Sequence, residues 1–296
     1  MKNNTIDLYV WGVYSMKFIR GGVIMIENHK SIKDTYMSRE TIDNINNQVQ
    51  MKEVMFDQTR GRYALKSIMS GFLLAIVTVF MLALKTQMVG ANEGVINLLG
   101  AISFSLALVL IVLTHSELLT SNFMYLTVGW YYKLIGMNKA FIIMLVCFFF
   151  NMIGGIILFG LMKFTPIMTS EMVTSLTELV DGKTIDTSWY AILGKAIFCN
   201  FFINIGIYVS IQFKDGLSKA FFIACGVIVF VFMGYEHVVF NAGLYAGMLF
   251  YNFDAVVWLH VLKNIVFAFI GNFIGGGLFV GLVYAYLNGK RDSLHN

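Results

Sequence analysis

Residues 104–122 read FSLALVLIVLTHSELLTSN, an apolar run that turns polar at Thr114, and residues 234–241 read GYEHVVFN. Both polar strings stand inside hydrophobic segments long enough to cross a bilayer, the first from about Val95 to Trp130 and the second from about Ser218 to Tyr251. Thr114, His115, Ser116, Glu117, Thr120, Ser121 and Asn122 would each cost free energy in hydrocarbon unless buried in protein or lining a cavity. The expectation is therefore a helix broken at each string. The only proline, Pro166, falls in a loop, so neither break is a proline kink.

The two strings belong to an internal repeat. Glu117 and Asn122 stand five apart, as do Glu236 and Asn241; Asn151-Met-Ile-Gly-Gly155 is answered by Asn272-Phe-Ile-Gly-Gly276, and Lys66 to Gly71 more loosely by Lys195 to Asn200. The separations of 119, 121 and 129 residues amount to one period with small insertions. Four further apolar runs complete the pattern: about Tyr63 to Leu84, Ala140 to Met162, Trp189 to Gln212 and Val256 to Leu287. Three crossings per unit make the second unit enter the membrane from the opposite side. The expected architecture is all-α, with six transmembrane helices in two inverted three-helix repeats (about 63–163 and 188–288) and the second and fifth helices broken.

Composition agrees with a lipid-solvated body. Of 296 residues, 58% are hydrophobic and only 13% charged, far below the quarter common in soluble domains. The first 66 residues hold ten Lys or Arg, which places that end in the cytoplasm by the positive-inside rule; six crossings put the other end there too, in the cell membrane. Residues 1–62 read as a polar, amphipathic amino-terminal segment, with Leu8 to Ile26 interfacial or, if Met25 is the start, upstream of the protein; 289–296 read as a short tail. Cys147, Cys199 and Cys225 are odd in number and lie in apolar runs, and the histidines form no metal-binding spacing, so no disulfide framework, metal, cofactor or nucleic-acid partner is expected.

A half-helix starting at the bilayer midplane aims its free N–H groups and positive dipole end at the protein centre. Two such starts, near Asn122 and Asn241, suit an anion. His237, beside Glu236 at the second break, is the sharpest candidate for exchanging a proton with it, against the plainer reading of a satisfied core histidine. Phe104 and Leu108 share a helix face, Phe230 shares the face of His237, and Asn200 and Asn204 put two amides on one side of the fourth span.

Taken together, the stretch from Phe104 to Asn122, the stretch from Gly234 to Asn241, Cys199-Asn200 and the GNFIGGG from Gly271 resemble the signature segments of the formate/nitrite transporter family. The resemblance implies an aquaporin-like fold, a homopentamer in the lipid bilayer and a pore in each protomer. It also implies hydrophobic constrictions of Phe104, Leu108, Leu118 and Phe230, with Thr120 in the loop of the first break and His237 as the central histidine. Asn200 would hold the histidine or the loop, and Lys183, one residue from the counted place, would be the vestibule lysine. Glu117, Asn122, Glu236, Asn241, Asn151 and Asn272 support the breaks. His115 departs from the family, which has glycine there; it is a second titrating group if it faces the pore and packing if it does not.

The reading is then a transporter, not an enzyme, for a small monovalent weak-acid anion such as formate, nitrite, hydrosulfide, acetate or lactate, passive or proton-coupled. A bare anion enters a dry constriction only at several kcal/mol. Lys183 and the helix dipoles would attract the anion, and His237 or a relay ending there would protonate it. The alternative is a neutral-solute channel of the water or glycerol kind on the same scaffold.

Overall fold

The computed structural model describes the backbone of residues 8–10, 14–19 and 22–27, and the chain over 39–289. The expected tail at 290–296 lies outside the described residues. Where the sequence suggested an interfacial segment, the chain pairs β1 (Leu8–Val10), β2 (Tyr14–Ile19) and β3 (Gly22–Glu27) as an antiparallel meander. Tyr, Val, Ile and Phe favour a pleated backbone, and the pairing of Ile19 with Gly22 leaves a two-residue connection, the commonest hairpin length.

From Arg39 onward the described chain is helical. Helix α1 (Arg39–Gln58) buries Ile42, Ile45, Val49 and Lys52, spaced three and four apart, against α2 and α4. Next come α2 (Arg60–Gln87), α3 (Glu93–Leu113), α4 (Leu119–Tyr131) and α5 (Met137–Met162). They are followed by α6 (Ser170–Thr184), α7 (Trp189–Ser210), α8 (Gly216–Phe232) and α9 (Val238–Tyr251). The last rod, Trp258–Leu287, runs through α10 (Trp258–Asn272), a π-helical stretch (Phe273–Leu282) and α11 (Val283–Leu287). Five of these, α2, α3, α5, α7 and the last rod, are long and apolar enough to cross a membrane. Phe141, Ile142, Leu145 and Phe149 on α5, and Leu259, Leu262 and Val266 on α10, are exposed, a surface suited to lipid or to another subunit.

Helix α6 occupies the segment between the Ala140–Met162 and Trp189–Gln212 runs, where the sequence suggested no helix. Thr169 caps it by accepting the Met172 N–H, and Met172, Leu176 and Val180, four apart, bury one face. Its function in the fold is to carry Lys183, in its last turn, over the start of α9.

Two close crossings frame the core. On α2 and α5, a Cβ at Gly71 would overlap the Asn151 carbonyl, and one at Gly154 the Ile68 carbonyl. On α7 and the last rod, a Cβ at Gly275 would overlap the Ile197 carbonyl, while Gly271 meets Leu193 and Ala196. Without side chains at these points the helix axes approach closely enough for buried amides to reach the neighbouring backbone.

Candidate functional site

Between α3 and α4, and again between α8 and α9, five residues leave the helix, and the two gaps are built alike. After α3 the Ser116 N–H reaches back to the Ile111 carbonyl; after α8 the Tyr235 N–H reaches the Phe230 carbonyl. His115 (φ 53°) and Gly234 (φ 63°) take the matching left-handed positions two residues before the glutamates. Glycine adopts that conformation freely, whereas a histidine there is strained. Leu118 and His237 are both extended and immediately precede the new helices.

One buried asparagine fastens each gap. The Asn151 amide donates to the carbonyls of Ser67 (2.7 Å) and Glu117 (2.9 Å), and its oxygen accepts the Leu119 N–H at 3.1 Å. The Asn272 amide donates to the carbonyls of Ala196 (2.8 Å) and Glu236 (2.8 Å), and its oxygen accepts the Val238 N–H at 2.9 Å. In each case one carboxamide satisfies both the glutamate carbonyl, which the new helix does not use, and a first-turn donor that the helix cannot satisfy itself.

Each glutamate is the hub of a second set. Glu117 accepts from Asn122 (3.2 Å) and is ion-paired with Lys52 at 2.6 Å; Glu236 accepts from Asn241 (2.6 Å) and Asn264 (3.3 Å) and is paired with Lys183 at 3.1 Å. Both carboxylates are buried, so the pairs offset a desolvation that neither would tolerate alone. Asn264 also donates to the Lys183 carbonyl, and Lys263 donates to the carbonyls of Thr184 and Thr187, so α10 fixes the backbone of the lysine and of the turn after it.

The two halves meet at Thr120 and His237. His237 Nδ1 accepts the Phe240 N–H at 2.9 Å, which caps α9 and leaves the ring proton on Nε2; Nε2–H then donates to the Thr120 hydroxyl at 3.0 Å. Thr120 is fully buried and its carbonyl accepts from both Asn200 (3.1 Å) and Asn204 (3.0 Å). Asn200 also donates to the Asn272 carbonyl, so it holds the loop side of the pair and not the imidazole itself. Phe230 stacks on His237 with centroids 5.8 Å apart, and Phe104 lies edge-on to Phe230 and Phe240. Leu108 and Leu118 are buried in the same apolar cluster. His115 is exposed, on the wall of a chamber that the first gap floors, away from the Thr120–His237 pair.

Lys52, Asn264 and Phe240 were not singled out from sequence. Lys52 had one readable signal: it continues the buried Ile42, Ile45, Val49 stripe of α1 where an apolar residue belongs. Asn264 had another, an amide inside an apolar span.

Long apolar helices with buried polar centres at helix starts define an integral membrane protein of the helical class. The chain belongs to the formate/nitrite transporter family, whose model, described as formate/nitrite transporter, matches residues 39–286. Among relatives, it is 30% identical over 203 residues to the uncharacterized transporter YrhG of Bacillus subtilis (strain 168), covering 66% of this chain and 73% of that one. It is 28% identical over 203 residues to the formate channel BtFdhC of Bacillus thuringiensis, covering 68% and 76%. A solved pentameric formate channel with formate bound shares its fold, with a TM-score of 0.66 at 22% identity over 76% of this chain and 96% of that one. The family consists of channels and transporters, and its members' names point to anions and not to a neutral solute.

Proposed function

We propose that this chain carries a small monovalent weak-acid anion, formate or nitrite foremost, across the cell membrane through a path in each protomer of a homopentamer. The observation that carries the reading is the Nε2–H of His237 bonded to the buried Thr120 hydroxyl at the meeting of two helix starts, walled by Phe104 and Phe230. In this reading α3 with α4, and α8 with α9, are the second and fifth of six crossings, broken at midplane, and the matched gaps are the two halves of an inverted repeat. Both termini are cytoplasmic. The pentamer and the substrate are inferred from relatives that carry those descriptions.

Lys183 draws the anion to the outer mouth and Lys52, its counterpart, to the inner one. Each ammonium is paired with a glutamate, which weakens its hold on the anion, so the anion is not trapped there. Between the mouths the lining is Phe104, Leu108, Leu118 and Phe230, where the solute passes as the acid because an ion would be poorly solvated. The hydrogen bonds of His237 suit a donor that orients the solute through Thr120. Passing on the Nε2 proton would require Nδ1 to gain one at the same moment, so proton coupling enters at the mouths.

The test is uptake of formate by proteoliposomes. His237→Asn retains an acceptor for the Phe240 N–H and loses the Nε2 donor, so it separates the cap from the path. We expect the folded variant to lose most of its formate uptake, while glycerol-driven swelling stays at background in both proteins. Unchanged uptake by His237→Asn would remove the central pair from the path, and swelling in glycerol would restore the neutral-solute reading.

A further inference from the structure

Beneath the first gap lies a chamber of about 1520 Å³, bounded by α1, the start of α2, the end of α3 and the α7–α8 turn. Its volume is far larger than formate or nitrite needs, and its walls are cationic. Lys52, Arg62, Lys66, Lys214 and Lys219 face it, against Glu40 and Glu117. Glu117 is neutralised by Lys52, and Glu40 lies 3.6 Å from Lys214 in a pair so exposed that it contributes little. Among the described residues Arg62, Lys66 and Lys219 have no ion pair. Asn44, Asn47, Gln48 and Gln212 add amide donors to the same wall. The floor is Ile111, Glu117 and Ser121, at the break itself.

A single negative charge satisfies one of three separated cations and leaves the others to repel one another. A ligand with several phosphate oxygens spans them and accepts a charge-assisted hydrogen bond from each. We propose that this chamber binds a phosphate-bearing polyanion, of the di- or triphosphate kind, which covers the floor and closes the path from this side. The closure rests on the path read above; the binding does not.

The probe is inorganic pyrophosphate, titrated calorimetrically into the full-length protein in detergent. Binding is expected to weaken as salt rises. The triple variant Arg62→Gln, Lys66→Gln, Lys219→Gln is expected to bind about tenfold or more weakly. Each single variant, in case the triple does not fold, is expected to lose about two- to threefold. Pyrophosphate present on both sides of proteoliposomes should slow formate uptake by the native chain and not by the triple variant. No binding heat, or equal affinity in the triple variant, overturns the proposal. Binding without any formate transport leaves it standing and rejects the path instead. Repeating the titration in nanodiscs of phosphatidylcholine with and without phosphatidylglycerol separates a polyphosphate from a headgroup: competition by this singly charged lipid would show that a polyanion is not required and overturns the proposal, and its absence supports a soluble polyphosphate.

Discussion

Replacing Asn272 by leucine keeps roughly the side-chain volume and removes all three hydrogen bonds that fasten the second gap. The magnitude follows from what is left behind. The Ala196 carbonyl is inside α7 and retains a helical partner, so its loss is small. The Val238 N–H and the Glu236 carbonyl are in or beside non-helical backbone and are left without an amide partner, at about 1–3 kcal/mol each. Interhelical hydrogen bonds in membranes average only about 0.6 kcal/mol because the unfolded chain finds other partners, which sets a lower bound of about 2 kcal/mol for three. The expected loss is therefore about 2–6 kcal/mol, against a total stability of only 5–15 kcal/mol for ordinary folded domains. Thermal unfolding of the detergent-solubilised variant reads it directly. Asn151→Leu should lose a comparable amount, because Asn151 contacts the Glu117 carbonyl and the Leu119 N–H in the same way. A drop below about 1 kcal/mol in either variant would mean that the amides do not hold the gaps, and the argument for matched, fastened breaks would fail.

Lys52→Met leaves the buried Glu117 without its cation and should cost about 3–5 kcal/mol, and adding Glu117→Gln should recover part of that in a double-mutant cycle on unfolding. At the left-handed position of the first gap, His115→Val should destabilise by about 1–2 kcal/mol, while His115→Gly should be neutral or stabilising in the same assay. Gly71→Ala places a methyl on the Asn151 carbonyl and should cost about 1–3 kcal/mol or abolish folding; Gly243→Ala, with open space around it, should be tolerated, as judged by gel-filtration yield.

The residues that fasten the gaps were readable because their logic is local and repeated. A glutamate and an asparagine five apart, twice, in apolar surroundings can hardly be left to lipid, and the Asn of each NxIGG motif recurs with the same period. The partners of those residues were not readable in the same way. Lys52 lies 65 residues before Glu117 and Lys183 lies 53 before Glu236, so only the packing of α1 and α6 brings ammonium to carboxylate. Helix α6 itself was missed because its polar composition outweighed a four-residue spacing of Met172, Leu176 and Val180 that is visible only when the segment is tested for a buried face. The amino-terminal strands were missed for a related reason: short alternating segments there resemble an amphipathic surface stretch until pairing supplies the missing hydrogen bonds.

The ring at position 237 is also a structural peg. Any hydrogen ion arriving at Nδ1 must evict the amide of Phe240, and the first turn of α9 is then held at its head by the Asn272 oxygen on Val238 alone. Because Asn241, in that same turn, is tied to the carboxylate that faces Lys183, local acidity would be converted into displacement at that lysine, some distance from the nitrogen that received the proton.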